Sequence, residues 1–429
     1  MRKILATTMA LAAFVLALCG GCGTPGGMTS DTASDTASDT TNSTTSESES
    51  EDMAKKYPYY IEEEKANYKF DFDEQITPYF LGNVIYNETV LLVDDGKTIS
   101  GKLQYKPIKI LSVRDYTWKN EFASDKYAVN GNVISITKDS GLPYLTADNV
   151  SGKQLPDGYR MVAGMNDFTN ILTDCMQMGP VVYTESPLFY GNQIQVSYVY
   201  DVKDLVEEDF AAYATSGMPK LKAKLAAGEK IKIAVTGDSV AEGCSSSEYF
   251  KHEPFFPSWV NLLKPALESK YSSEITVVNK AVGGKTAGWG CENKQIKALA
   301  AETPDLLIVH FGINDLGANE SADTYKYYME TIVMKMQSLS PDTEILIIDA
   351  LSAAPNVYSY DKFDTYCAAM EELKTSFDDV YTLNMFPINK TMLKVKKYED
   401  ITANGINHVN DFSTRLYIMN IMSALVEYR

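Results

Sequence analysis

The alternation of apolar and polar positions divides the chain into a strand-rich part and a part that mixes strands with helices. Between residues 57 and 205, short alternating runs rich in Tyr, Val, Ile and Thr recur, and turn sequences such as Asp94-Asp95-Gly96 separate them. This pattern predicts an antiparallel β-sandwich, jelly-roll-like in organisation. We interpret its many aromatic residues as core or edge packing, with a sugar-binding face as the alternative. The predicted strands cover residues 84–86, 89–93, 106–113, 132–137, 181–184 and 193–200.

A helical connector is predicted after this region, over residues 206–229. Phe210, Leu221 and Leu225 have roughly helical spacing, and Gly228 stands where a helix stop is expected, just before an apolar run. The connector would therefore join the β domain to whatever follows residue 229.

The period changes again from residue 230 to residue 429. Short apolar runs now alternate with stretches of helical periodicity, which predicts a doubly wound parallel sheet with five strands in a flavodoxin-like order. The sequence thus favours an α/β/α domain that follows the β domain. The strands are predicted over residues 230–236, 274–279, 305–311, 344–349 and 380–384, and the helices over 258–271, 290–301, 322–339, 362–377 and 411–428.

Residues 1–22 are excluded from the fold as a targeting segment. Arg2 and Lys3 precede a short apolar run, and Gly20-Gly21-Cys22 resembles a bacterial lipobox in which Cys22 is lipidated. An ordinary cleaved secretory signal is the alternative interpretation. Residues 23–56 are dominated by Ser, Thr, Asp, Gly and Glu and predict a disordered tether. We therefore expect an exported lipoprotein on the cell surface, whose contact with the membrane is limited to the lipid anchor.

Composition excludes several kinds of partner and cofactor. The 429 residues carry a formal net charge of −18, which argues against nucleic acid and against a basic patch for anionic lipids. With three histidines and no clustered ligands, we expect no metal and no other cofactor. Four cysteines follow the tether: Cys175, Cys244, Cys291 and Cys367. Pairing of Cys244 with Cys291 and free thiols are both left open.

Candidate chemistry lies in four short blocks of the predicted α/β domain. Each follows a predicted strand or precedes a helix, at the sheet edge where ligands of such folds bind. The blocks are Gly237-Asp238-Ser239, residues 279–286 (NKAVGGKT), Gly312-Ile313-Asn314-Asp315 and residues 404–408 (NGINH). Together, and in this order, they resemble the SGNH (GDSL-like) hydrolase superfamily over roughly residues 231–429.

A serine hydroxyl needs an adjacent base to become a nucleophile, and His408 is the candidate base for Ser239. The oxyanion of a tetrahedral intermediate needs preorganised donors. We predict the backbone N–H groups of Ser239 and Gly284 and the side-chain amide of Asn314. Gly284 is preferred to Gly283 because it completes the pattern Asn-x-x-x-x-Gly that starts at Asn279.

The third member of a catalytic triad is missing from its expected place. The family resemblance implies an aspartate three residues before the histidine, where this chain has Gly405. A Ser–His dyad is therefore expected, with His408 oriented by a backbone carbonyl, an amide or a water molecule. Asp411 is predicted to cap the last helix, and Asp238 and Asp315 to anchor their own turns.

Three further residues are candidate contributors to the site. His310 lies within a predicted strand and is interpreted as a packed core residue. His252 follows the nucleophile in a polar loop, where a solvated residue is the prevailing interpretation and a substrate contact the alternative. Trp289, just beyond Gly284, is predicted to line an acyl or sugar pocket.

The resemblance implies a serine esterase. A β domain ahead of an SGNH domain is similar to the architecture of deacetylases that act on plant polysaccharides, which makes an O-acetylated glycan the expected substrate. One alternative is a lipase or thioesterase of the same superfamily. The other is a catalytically inactive glycan-binding surface lipoprotein, which the missing aspartate would favour.

Overall fold

The computed structural model describes residues 72–206, 210, 217–351 and 353–428. The targeting segment, Cys22 and the tether lie outside the described residues. Among the helices of the described ranges, none has both the length and the apolar character needed to cross a bilayer.

The first part of the described chain is rich in β-strands. A short helix, α1, precedes it, and a second, α2, follows β7 with a capping box made by Thr146 and Asn149. The elements are α1 (Phe72–Ile76), β1 (Val84–Leu91), β2 (Val93–Asp94), β3 (Ile99–Lys102), β4 (Pro107–Arg114), β5 (Ala128–Asn130), β6 (Val133–Ile136), β7 (Leu145–Thr146), α2 (Ala147–Ser151), β8 (Arg160–Val162), β9 (Asp174–Met178), β10 (Val181–Thr184) and β11 (Gln193–Tyr200).

These strands form three small sheets, with orders β1-β11-β4, β5-β6-β3-β2-β7 and β10-β9-β8. The strand β11 is buried along its whole length, because it lies between β1 and β4 and its faces are covered. Most neighbours are antiparallel, and the pairs β2–β7 and β8–β9 are parallel. The prediction of a β-rich domain with antiparallel sheets is confirmed.

The connector contains one described helix, α3 (Pro219–Ala226), which is shorter than the predicted connector. Leu221 and Leu225 are buried, as their spacing suggested. Gly228 ends this segment at φ 71°, a conformation that glycine adopts without the steric cost of a Cβ.

The rest of the chain alternates strands with helices, as predicted. The helices α5, α9 and α10 begin at serine N-caps, whose side chains accept backbone hydrogen bonds in the first turn. The elements are β12 (Ile231–Gly237), α4 (Ser239–Glu242), α5 (Trp259–Glu268), β13 (Ile275–Asn279), α6 (Ala287–Gly290), α7 (Asn293–Ala300), β14 (Leu306–His310), α8 (Ile313–Gly317), α9 (Ala322–Leu339), β15 (Glu344–Ile348), α10 (Tyr360–Ser376), β16 (Val380–Leu383), α11 (Phe386–Met392) and α12 (Asp411–Leu425).

The five strands β12 to β16 form one parallel sheet in the order β13-β12-β14-β15-β16. This is the predicted flavodoxin-like order, so the fold-class prediction is confirmed. One face packs on α9 and α10 around residues such as Ile332 and Phe363. The core on the other face includes α5 and α12 and continues without a break into the β domain. The two domains therefore share a hydrophobic core.

Buried charges also cross this junction. Arg415 of α12 is fully buried and donates to Gln75 Oε1 at 2.9 Å and to the backbone carbonyls of Tyr86 and Asn87. Lys396 and Glu88 form a buried ion pair between the domains. Charges are buried in proteins only with such partners, since an isolated buried charge is strongly unfavourable. The relative position of the two domains is therefore fixed by directional contacts as well as by apolar packing.

Candidate active site

Ser239 is the first residue of α4, directly after the turn that ends β12. The side chain of Asp238 accepts a hydrogen bond from Val240 N at 3.0 Å, so Asp238 anchors its own turn as predicted. A Cβ at Gly237 would lie 2.4 Å from the carbonyl oxygen of His310 on the adjacent strand, which only glycine avoids. This tight strand-to-helix turn fixes the backbone of Ser239 at the carboxyl edge of the sheet.

His408 lies in the loop before α12, and its Nε2 is 3.0 Å from Ser239 Oγ. The side-chain oxygen of Asn404 accepts hydrogen bonds from the backbone N–H groups of Ile406, Asn407 and His408, each at 3.0 Å. Asn404 thus holds the loop that carries the imidazole. The structure brings together the two residues predicted to be nucleophile and base.

The other ring nitrogen of His408 faces two side chains. Nδ1 lies 2.9 Å from Ser245 Oγ and 3.2 Å from Glu185 Oε1. Glu185 follows β10, so it comes from the β domain. The expected dyad, with His408 oriented by a backbone carbonyl, an amide or water, is therefore replaced in the structure by a contact with a carboxylate and a hydroxyl.

Glu185 is well supplied with hydrogen-bond donors. Its carboxylate accepts from the hydroxyls of Tyr183 at 2.9 Å and Ser245 at 3.1 Å, and from Asn404 Nδ2 at 3.3 Å. Burial alone would raise the pKa of this carboxyl, but the charge of His408 and the hydrogen bonds from His408, Asn404 and Tyr183 outweigh burial and hold the pKa below its usual range. Glu185 is consequently ionised at neutral pH.

Sequence reasoning missed Glu185 because no short-range pattern ties it to His408. One signal was present: Glu185 is the only charged residue between Asp174 and Asp201, directly after a predicted strand. A lone carboxylate at the end of an otherwise neutral, apolar strand is a candidate for a specific partner.

The predicted oxyanion donors follow neighbouring strands. The loop after β13 is tied to the nucleophile turn by the bond from Val282 N to the Gly237 carbonyl at 3.0 Å, and Gly284 within it has φ 75°. Asn314 Nδ2 donates to the carbonyl of Lys285 at 3.0 Å, so it lies beside this loop. Gly284, in the loop after β13, and Asn314, in the first turn of α8, therefore lie at the same edge of the sheet as Ser239, and their role as donors stays a prediction.

We expect Asn314→Ala to lower kcat for p-nitrophenyl acetate about a hundredfold, because loss of one oxyanion donor typically has this effect. Steady-state kinetics measure it, with KM expected to change little. Asn293→Ala, the same change at an exposed residue of α7, is the control. A kcat equal to that of the wild type would remove Asn314 from the oxyanion hole.

Asp315 anchors more than its own turn. Its buried carboxylate interacts with its own backbone N–H and also accepts from Ala287 N at 3.0 and 3.2 Å, so it fixes the start of α6 as well. Burial raises the pKa of Asp315 to about 7; the Ala287 N–H opposes this rise and the charge of Asp238 adds to it. A carboxyl whose pKa rises on folding takes up a proton as the chain folds, so its contribution to stability declines as pH rises from about 4 to about 7.

Asp315→Asn removes this titration while keeping an acceptor for Ala287 N. We expect the melting temperature of the variant, relative to wild type, to be higher at pH 8 than at pH 5, by a few degrees. Scanning calorimetry at both pH values measures the difference. Asp323→Asn, at an exposed residue of α9, is the matched control. If the difference in melting temperature between variant and wild type were the same at both pH values, the raised pKa of Asp315 would be contradicted.

The remaining candidate residues of the site are His310, His252 and Trp289. His310 is buried, as predicted, between Asp238 Oδ1 at 3.3 Å and the hydroxyl of Tyr417 at 3.1 Å. The ring of His252 stacks on Tyr190 with centroids 4.5 Å apart, so it is packed rather than free in a loop. Trp289 packs edge-on against Phe311 and lies near Lys285 Nζ. Its place in a substrate pocket stays a prediction.

Two further features concern the cysteines and metal binding. Cys244 and Cys291 are not joined to each other: their sulfur atoms contact Glu242 Oε2 at 3.9 Å and the Gly288 carbonyl at 3.2 Å. Across the described ranges, no group of three or more His, Cys, Asp or Glu side chains is arranged to hold a metal ion.

The parallel sheet, the tight turn at Ser239 and the Ser–His contact form the arrangement that a serine-dependent hydrolase of the α/β class requires. Residues 235–410 match the model of the GDSL-like lipase/acylhydrolase family. The chain therefore contains a domain of this family, the SGNH hydrolases.

Among individual proteins, the chain matches solved structures. No curated protein sequence matches the chain. One solved structure that resembles it is a two-domain esterase active on acetylated mannans, co-crystallised with mannopentaose: 19% identity, 50% of this chain and 55% of that chain covered, TM-score 0.39. Another is a catalytic mutant of Axe2, an acetylxylan esterase from Geobacillus stearothermophilus: 15% identity, 47% and 97% covered, TM-score 0.39. The present chain thus spans about half the length of the two-domain esterase.

Proposed function

We propose that this protein is an exported, surface-anchored serine esterase that removes O-acetyl groups from a polysaccharide. The observation that carries the esterase chemistry is the 3.0 Å contact between Ser239 Oγ and His408 Nε2 in an SGNH-family domain. A hydroxyl in this contact can lose its proton as it attacks a carbonyl carbon.

In the first half-reaction, Ser239 Oγ bonds to the ester carbonyl carbon as His408 Nε2 takes the hydroxyl proton. The carbonyl oxygen becomes an oxyanion, held by the predicted donors of Ser239, Gly284 and Asn314. The intermediate collapses, the bond to the sugar oxygen breaks, and His408 returns the proton to that oxygen. The products are a free sugar hydroxyl and an acyl-enzyme on Ser239.

The second half-reaction repeats these steps with water. His408 takes a proton from the water as its oxygen bonds to the acyl carbon, and the second tetrahedral intermediate forms. When it collapses, the bond to Ser239 breaks and His408 returns the proton to Ser239 Oγ. Acetic acid leaves and the enzyme is regenerated, so the overall reaction consumes one water molecule and needs no cofactor.

A polar surrounding supports a hydroxyl-rich substrate over a long acyl chain. A small cleft between the two domains includes Ser245, a neighbour of His408, although Ser239 and His408 are not among its lining residues; long acyl chains would favour an aliphatic groove instead. Aromatic and polar groups at such a position suit the faces and hydroxyls of sugars. The cleft is lined by Thr89, Tyr116, Tyr190, Gln193, Gln195, Ser245, Ser247, His252, Glu253, Pro254, Asn410 and Asp411.

The amino-terminal sequence supports the proposed cellular location. The lipobox-like Gly21-Cys22 and the polar tether of residues 23–56 would hold the domains off a membrane surface. Export also suits a substrate too large to enter the cell.

The test is release of acetate from acetylated xylan, mannan, pectin and peptidoglycan by the purified protein, with p-nitrophenyl esters of increasing chain length alongside. We expect acetate from at least one glycan and a preference for the acetyl ester. A preference for long acyl chains would favour the lipase or thioesterase alternative. Absence of hydrolysis together with binding to a glycan would favour the inactive surface protein. Either result would overturn the proposal.

A further inference from the structure

We infer that the β domain supplies the third member of a catalytic triad, with Glu185 as the positioning carboxylate of His408. The inference rests on the proposed esterase reaction of Ser239. It assigns to the β domain a direct part in the chemistry, beyond any part in binding glycan. The sequence-based dyad is replaced by a triad completed across the domain junction.

The position of the ring proton of His408 points to a need for an acceptor beside Nδ1. If Nε2 of neutral His408 is to accept the proton of Ser239, the ring proton must lie on Nδ1. A donor on Nδ1 then needs an acceptor, and Glu185 Oε1 lies 3.2 Å away. A carboxylate there favours the productive tautomer and stabilises the imidazolium that forms during the reaction.

Ser245 is a second acceptor close to the same ring nitrogen. Its hydroxyl lies 2.9 Å from Nδ1 and 3.1 Å from Glu185 Oε2. Because the Ser245 hydroxyl can donate to the carboxylate, its oxygen remains available to accept from Nδ1–H. Glu185 therefore supports the imidazole directly and through one intervening hydroxyl.

The surroundings of Glu185 suit a permanent anion. Three neutral donors, from Tyr183, Ser245 and Asn404, surround a side chain that is only 12% exposed. The buried carboxylate of Glu88 pairs with Lys396, and that of Asp315 is held by the backbone N–H of Ala287. The ion-pair partner of Glu185 is instead the histidine that also contacts the nucleophile.

A further hydrogen bond, besides the contact between Glu185 and His408, joins the β domain to the loop that carries His408. The backbone N–H of Thr184, at the end of β10, donates to the carbonyl of Asn404 at 3.1 Å. Asn404 in turn orients His408 and contacts Glu185. The strand that carries Glu185 and the loop that carries His408 are therefore one hydrogen-bonded unit, which fixes the distance between carboxylate and imidazole.

Glu242 is a second acid close enough to His408 to interact with its charge. Burial raises the pKa of Glu242, the N–H of Gly283 opposes this rise, and the positive charge of His408 has the same opposing effect. Its Oε2 accepts from Gly283 N at 2.6 Å, so this carboxylate is committed to the loop after β13. Removing Glu185 would thus leave Glu242 in place, and the effect of Glu185 can be measured separately.

The test compares Glu185→Gln, Glu185→Asp and Ser245→Ala with wild type, using p-nitrophenyl acetate. We expect Glu185→Gln to lower kcat at least tenfold with little change in KM, Glu185→Asp to recover part of this loss, and Ser245→Ala to have a smaller effect. Glu121→Gln, at an exposed residue paired with Arg114, is the matched control. Melting temperatures of all variants separate loss of folding from loss of positioning.

The dependence of kcat on pH distinguishes positioning of His408 by Glu185 from a purely structural role, which would leave this dependence unchanged. Because the Glu185 carboxylate favours protonated His408, its removal should shift the acid limb of the kcat profile to lower pH. The three histidines of the chain make the same shift measurable by NMR without any substrate. An inactive wild type would overturn the proposed function. An active wild type with unchanged kcat and pH profile in Glu185→Gln, or with the larger loss in Ser245→Ala, would overturn the inference alone.

Discussion

Ser239→Ala should lower kcat/KM for p-nitrophenyl acetate by at least about a thousandfold, because the covalent intermediate can no longer form. The residual rate would come from oxyanion donors and His408 acting on water directly. The folded state should be nearly unchanged. The capping hydrogen bond from Val240 N to Asp238 and the bond from Cys244 N to the Ser239 carbonyl do not involve the lost hydroxyl.

A fluorophosphonate probe tests the same prediction without turnover. The probe should label wild type once, at Ser239, and should not label Ser239→Ala. Mass spectrometry of the intact proteins measures both results. Ser269→Ala, at the end of α5 and away from the site, is the matched control and should be labelled like wild type. Labelling of Ser239→Ala at another residue, together with retained activity, would show that a different nucleophile acts.

The order of elements and the nucleophile could be predicted because their signals are local. The change from alternating to mixed periodicity near residue 230 marks the change of architecture, and apolar runs such as Ile231–Gly237 become central parallel strands. Ser239 and His408 each sit in a short block directly beside a strand or a helix, so their placement at the sheet edge follows from topology.

Contacts that depend on packing between distant segments could not be predicted in the same way. The meeting of Glu185 with His408 depends on how β10 lies against the loop before α12, and no periodicity encodes that arrangement. The predicted cap of α12 was wrong for a related reason. Asn410, not Asp411, caps α12, because Asp411 accepts from the N–H of Ser247 at 2.9 Å. A neighbouring segment decided which of two adjacent capping residues was used.

The glycine at the position of the expected aspartate has a structural cause. Gly405 has φ 85°, and a Cβ there would lie 2.1 Å from the carbonyl oxygen of Val182 in β10 and 2.8 Å from the ring of Phe189. The strand that delivers Glu185 thus occupies the space a side chain at 405 would need. The absent aspartate and the carboxylate of the β domain are two consequences of one packing arrangement.

We therefore expect Gly405→Ala to lower the free energy of unfolding by about 2 to 5 kcal/mol, the sum of left-handed backbone strain and overpacking against β10. Gly131→Ala is the matched control: its φ is 61° and a Cβ at this position would have no atom within 4 Å, so only the strain of about 1 to 2 kcal/mol should appear. Urea unfolding measures both. Equal losses at the two positions would show that β10 moves aside without cost.

The same packing predicts that a carboxylate cannot be returned to position 405. In a Glu185→Gln background, Gly405→Asp should leave kcat no higher than Glu185→Gln alone, because the new side chain separates β10 from the loop and displaces His408. Its larger side chain should also lower stability at least as much as Gly405→Ala does. Recovery of kcat towards wild type would mean that the loop tolerates its own aspartate. The packing of β10 against the loop would then not require the carboxylate partner of His408 to come from the β domain.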